Sequence, residues 1–223
     1  MIALVFALLL TILHVFSRRI SKIIEKHHIN ITSFSAGMFI TLILIDLLPR
    51  MIDGLEYKAP VFLIMTIGFV GFHISEKYLY QHVRNKHLLL EELAELHNFG
   101  FFMNHLMIGF VLVLTFELRS VTSYLVIIPF VLHTISSSMS LEHIHEKMKT
   151  KFNKFVLNTS TFLGALFAYF AGLENFWYYT IFALSLGALM YISIRDMLPG
   201  GKKGNTLMFF FGFLLTLGIV AII

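Results

Sequence analysis

The sequence predicts an all-α polytopic membrane protein, a single domain over residues 1–223 with eight transmembrane helices and both termini outside. Three observations carry that prediction. First, 57% of the residues are hydrophobic and only 13% charged, against about 45–50% and about 25% in soluble domains. Too few charges remain to coat a water-facing surface. Second, apolar runs close to the about 17–25 residues of a spanning helix recur along the whole chain. Third, the basic residues fall on alternate connections, as the positive-inside bias demands. A mean hydropathy of +0.82 excludes a disordered or collagen-like chain and nucleic-acid binding as a main role. The chain has no cysteine, so disulfide frameworks and thiolate metal sites are excluded too.

The first span covers residues 2–16 and is ended by Arg18 and Arg19. It has neither a basic leader nor a small-residue cleavage site, so it reads as a retained helix that starts outside. The second, 31–49, stops at Pro49, and the third, 61–80, frays into polar sequence. The fourth covers 99–116. The fifth, 121–140, contains Pro129, expected to kink the helix one turn before His133. Spans 155–172, 176–194 and 207–223 complete the set. With the first connection inside, Arg18, Arg19, Lys22 and Lys26 lie inside, as do Lys77, Arg84 and Lys86. Lys147, Lys149, Lys151, Lys154, Arg195, Lys202 and Lys203 follow them. Of 17 Lys and Arg residues, only Arg50, Lys58 and Arg119 fall outside. The basic loops are therefore expected on the cytoplasmic face of a plasma or cell inner membrane. The longest of them contains LLLEELAEL, Leu88 to Leu96. Its leucines at helical spacing predict an amphipathic surface helix or an extension of the fourth span.

Two spans resemble each other. GMFITLILIDLLP (37–49) and GALMYISIRDMLP (187–199) share Gly, Asp, Leu and Pro at the same offsets, 150 residues apart. The predicted topology gives them opposite directions. Spans 1–3 and 6–8 then form two inverted triplets around a central pair, spans 4 and 5. Inverted repeats are common in secondary transporters, with sites near the midplane.

Ionisable residues at membrane depth point to function by default. Span 4 contains Asn104 and His105; span 5 contains His133, Thr134, Ser136, Ser137, Ser138 and Ser140. Antiparallel neighbours meet at equal distances from their turn, so Asn104, His105 and His133 are expected at one depth. They are cation ligands or hydrogen-bonded glue between the helices. Asp46 is placed to act at the outer mouth and Asp196 at the inner one. Glu142, His143, His145 and Glu146 offer carboxylates and imidazoles on the inner side. His14 and His73 read as packing histidines. Ser136 to Ser138 lie near His133, but no H-x-x-x-H pair accompanies them, so no catalytic role is assigned.

These features resemble the ZIP (Zrt/Irt-like) zinc and iron transporters. Ser35 to Phe39 with Asp46-Leu47-Leu48-Pro49 is similar to that family's second helix, and Gly187 to Tyr191 with Asp196 to Pro199 to its seventh. Gly71-Phe72 and Glu76-Lys77 resemble its third. The resemblance implies the ZIP fold, a homodimer, and a divalent cation of the zinc or iron class held between helices 4 and 5. It places H-N-x-x-D-G on residues 104–109 and H-E-x-P-H-E on residues 133–138, 29 residues apart. His133 stands unchanged, and Asn104-His105 is the family's pair in reverse order. Ile108 replaces an Asp, Thr134 and Ser138 replace glutamates, and Ser137 replaces a His. The expected function is a divalent-cation transporter with a carboxylate-poor centre. The alternative is a ZIP-fold protein that has lost transport and acts as a metal sensor or regulatory partner. No cofactor is expected, and the expected partners are the lipid bilayer and the cation.

Overall fold

The computed structural model describes residues 1–117, 124, 127–145, 151–172, 174–197 and 204–221. It gives backbone alone at 17–25, 86, 87, 90, 97, 117, 138–145, 151–154, 192, 196 and 197. The described residues are helical, with no strand among them.

Helix α1 (Ile2–Ile24) carries the first apolar run on through the basic stretch. A 3-10 turn, Glu25–His27, leads into α2 (His28–Leu42). A π turn, Ile43–Leu47, joins α2 to α3 (Leu48–Ile52). Pro49 has no N–H to return to the preceding turn. The π register takes up that mismatch, with Leu48 N–H donating to Ile43 O. Lys58, at φ 59°, closes the following 3-10 segment, and Pro60 precedes α4 (Val61–His82). Helix α5 (Lys86–Glu117) has 32 residues. At a rise of 1.5 Å per residue it is about 48 Å long, well beyond a hydrocarbon core of about 30 Å. Leu88 to Leu96 therefore extends the fourth span, the second of the two arrangements expected. The remaining helices are α6 (Ile127–His145), α7 (Lys151–Phe170), α8 (Asn175–Met197) and α9 (Thr206–Ala221). Pro129 lies in the first described turn of α6.

Among the described residues, four segments are long and apolar enough to cross a membrane: His28–Tyr57, Val61–His82, Glu91–Phe116 and Asn175–Arg195. Ile2–Phe16, Ile127–Ser137, Phe155–Phe170 and Thr206–Ala221 are shorter apolar helices. Large apolar side chains such as Leu63, Phe155, Phe170 and Leu207 lie exposed on the outside of the bundle, as a chain solvated by lipid requires.

The three most extensive helix contacts are α5 with α7, α4 with α8, and α2 with α9. Each is closed by a reciprocal pair of glycines. A Cβ added at Gly109 would overlap Thr161 O, and one at Gly164 would overlap Leu106 O. Gly68 and Gly187 meet Leu184 O and Met65 O in the same way. Gly37 and Gly212 meet Phe209 O and Phe34 O. In all six cases the carbonyl belongs to the residue three before the partner glycine. Missing Cβ atoms let the backbones touch, which is how helices associate where no hydrophobic effect drives them together.

All three pairs are parallel. At the start of α9, Asn205 Nδ2 donates to Asn30 Oδ1 (2.9 Å) and its backbone N–H to Ser33 Oγ (2.9 Å). Towards the end of α8, Arg195 Nη1 and Tyr191 Oη both donate to Glu76 Oε2, at 3.2 and 2.8 Å. Phe167, three residues after Gly164, packs on Phe110, the residue next to Gly109. Helices α5 and α6 are antiparallel, with Phe116 against Tyr124 at one end and His105 against Ser137 at the other.

Candidate functional site

The glycine contact between α5 and α7 builds one wall of the site. It brings Thr161 against Gly109 and so places the Thr161 hydroxyl beside His105, 3.3 Å from Nδ1. Helix α6 supplies the opposite wall. His133 and Ser137 are one turn apart and face α5 together. His133 Nε2 lies 2.7 Å from Asn104 Nδ2, and His105 Nε2 lies 3.1 Å from Ser137 Oγ.

Donor bookkeeping assigns the protons. An amide nitrogen only donates, so His133 Nε2 is the acceptor in its bond to Asn104. Ser137 Oγ donates to Thr134 O at 3.2 Å. It therefore accepts from His105 Nε2–H, which leaves His105 Nδ1 to accept from the Thr161 hydroxyl. Asn104 Oδ1 is buried without a hydrogen-bond partner. Removing the Asn104 amide by Asn104→Leu should lower stability by about 1–3 kcal/mol, read from denaturant unfolding in a mild detergent. An unchanged midpoint would mean that this bond contributes nothing to the fold.

Two further walls come from outside the central pair. Phe39 of α2 stacks on His133, with centroids 4.2 Å apart and planes at 18°. Ser136 Oγ donates to Thr32 Oγ1 at 3.3 Å. On the other side, His14 of α1 lies 4.8 Å from the His105 ring and 4.9 Å from Phe101. The His105 and His133 rings are 6.0 Å apart. Three imidazoles thus form a column across α1, α5 and α6, all of them buried. His14 therefore sits against a candidate site histidine, a place that its reading as a packing residue does not anticipate. In antiparallel α1 and α5, Phe6 faces Phe116 as His14 faces His105, a register that puts His14 beside the site. Recognising it requires knowing that these two helices touch.

Asn104, His105, His133 and Ser137 come together as expected. Thr134 is fully buried beside them. Asp46 does not join them. It lies on the π turn, seven residues beyond Phe39, about 10 Å along the helix. There it is buried, with Oδ1 accepting from Arg50 Nη2 (2.7 Å) and Nε (3.0 Å), and Oδ2 has no partner. Its partner Arg50 lines a small cavity with Leu114, Thr115, Tyr178, Tyr179 and Phe182. Leu42, Ile43, Ile108, Val111, Leu112 and Phe130 fill the layer between this ion pair and the imidazoles. The side chains of Ser138, Glu142, His143, His145 and Asp196 lie outside the described residues, although their backbone is helical; Glu146 lies outside them altogether.

Among the described residues, no three His, Asp or Glu side chains gather around one point where a metal ion would fit. The imidazoles stand in pairs instead, His14 with His105 and His105 with His133. Compared with known proteins, the chain matches no family model, no curated protein and no solved structure.

Proposed function

We propose that the chain is a divergent ZIP-like membrane transporter of metal cations, with eight crossings in a 3+2+3 inverted repeat and a neutral central site. The observation that carries this reading is the symmetry of the helix contacts around the buried imidazoles. Inverting the chain exchanges α1 with α7, α2 with α8, α4 with α9, and α5 with α6. Under that exchange the α2–α9 pair becomes the α8–α4 pair, and both are parallel and closed by reciprocal glycines. Gly37 and Gly187, equivalent by the repeat in the sequence, hold equivalent places in these pairs. Two residues before each stands a serine that reaches the central helices. Ser35 Oγ donates to Leu132 O, and Ser185 Oγ to Met107 Sδ. Chance similarity between two apolar helices does not predict matching partners.

In this reading α5 and α6 hold the ion, with His133, His105 and Asn104 nearest to it. Rocking of one bundle against the other moves it across the membrane. The basic connections face the cytoplasm, in a plasma or cell inner membrane, and the family resemblance adds a homodimer and a divalent zinc- or iron-class cargo. Uptake into liposomes containing the purified protein tests it, with Zn²⁺, Fe²⁺, Mn²⁺ and Cd²⁺ offered beside Cu(I) and Ag(I). Saturable uptake lost in His133→Ala is expected. Failure of every ion to enter, with folded protein, would overturn the transporter reading. It would favour the second reading, a ZIP-fold metal sensor or partner subunit. That alternative draws on the way the polar groups at the centre already satisfy one another.

A further inference from the structure

We propose that the outward face of α4 joins two copies of this chain in a parallel dimer, along a seam of Leu63, Thr66, Val70, His73 and Lys77. The proposal takes from the reading above only that the chain crosses a membrane. It gives the homodimer a contact surface, and it holds whether or not the chain moves ions.

The five residues are spaced three and four apart, so they form one stripe along the helix, the spacing of a coiled-coil seam. All five are exposed, because α4 packs on α8 with its other face, through Gly68. Only 11% of its most apolar stretch is buried, against 53% or more in the other three long spans. Lipid alone is a poor solvent for this stripe. His73 is the thirteenth residue of a 22-residue helix, about 18 Å from its start, and so near the middle of a hydrocarbon core of about 30 Å. Ionisable groups at that depth face a bundle interior or pair with one another. The His73 ring touches the edge of Tyr191 at 5.8 Å, but among the described residues its nitrogens make no hydrogen bond. Helix α9, the mate of α4 under the inverted repeat, shows what a lipid-facing surface looks like in this chain. Its outward side chains include Leu207, Phe210, Phe211, Leu214 and Leu215, and it has no ionisable residue.

Complementarity identifies the occupant as a second copy. A two-fold axis along the membrane normal sets α4 beside its own copy, running the same way, with like residues at one depth. A neutral imidazole has one donor and one acceptor nitrogen. Two His73 rings therefore satisfy each other across the seam, as polar side chains do between helices in lipid. Lys77 follows one turn further in and is exposed. Glu76 stands beside the seam. Tyr191 and Arg195 both donate to its Oε2, and among the described residues its Oε1 is uncommitted. Glu76 Oε1 thus faces the partner's Lys77, and the axis repeats that charge pair on the other side. One lysine at a seam position with a carboxylate flanking it is a device that fixes register and partner in parallel helix pairs.

The chain has no cysteine, so a single thiol can be placed at will in the purified full chain in liposomes. Leu63 and Leu207 both lie near helix ends, where water reaches, and each is 61% exposed. Under mild oxidation Leu63→Cys should give a covalent dimer, and Leu207→Cys on α9 should stay monomeric. Energy transfer between labelled chains, followed as lipid is added, reads the dimer without a cross-link. His73→Leu suits lipid better than histidine but removes the hydrogen bond, and it should raise the dissociation constant at least about threefold. Lys77→Gln should do the same, and His73→Asn, which hydrogen-bonds to its own copy, should recover much of the loss. All three sites are exposed, so the fold should tolerate the changes. Chains that do not associate would overturn the proposal. So would cross-linking through Leu207→Cys in place of Leu63→Cys, or a His73→Leu dimer as tight as the unaltered one. A dimer through this seam with no ion uptake would uphold the contact and sink only the transporter reading.

Discussion

Gly109→Ala should destabilise the folded bundle by about 2–3 kcal/mol, although alanine is the better helix former by about 1 kcal/mol. The new methyl would overlap the Thr161 carbonyl. That carbonyl is backbone, held in its own helix, and cannot swing aside as a flexible side chain can. The α5–α7 contact must open, and with it the seating of Thr161 against His105. Gly71 and Gly218 provide the control. A Cβ at either meets nothing within 4 Å, so Gly71→Ala and Gly218→Ala should be neutral or stabilising by up to about 1 kcal/mol. Unfolding by denaturant in one detergent compares all three. Equal effects at Gly109 and Gly71 would show that the close approach of α5 and α7 carries no special weight.

Arg50→Ala should cost about 3–5 kcal/mol, because it strands the Asp46 carboxylate in a buried site without its counter-charge. Asp46 is 7% exposed and Arg50 17%, so little solvent is available to replace the guanidinium. The double change Asp46→Leu with Arg50→Met removes both charges and should recover most or all of that loss, since apolar replacements of buried ion pairs are often neutral or better. The same unfolding assay reads both variants. A double variant as unstable as Arg50→Ala would mean that the pair's geometry, and not its charge balance, holds the π turn in place.

Helix existence was legible because length and hydropathy are local properties. Val61–His82 and Asn175–Met197 lie within three residues of the expected 61–80 and 176–194. Ends set by solvated sequence were less legible. Helix α1 runs on to Ile24 because a charged stretch does not itself break helical hydrogen bonds. The π turn was invisible, since Pro49 signals a missing N–H and not how the chain accommodates it. At the site, equal depth from one turn found Asn104, His105 and His133, because their helices are consecutive. His14 and Thr161 escaped that reasoning. They belong to helices that touch α5 only through tertiary packing, and a glycine in a sequence does not name the carbonyl it will meet.

The crossed pairing of the repeats also constrains the order of assembly during synthesis. Helix α2 docks on α9 and α4 on α8, so helices made early wait for partners made much later. The first triplet cannot mature as an independent unit. Until α9 arrives, the faces around Gly37 and Ser33 are open to lipid or to whatever escorts the nascent chain. Contacts spanning most of the polypeptide close slowly. A chain truncated before α9 loses the partner of α2 as well as α9 itself, and quality control would meet it as an unfinished product.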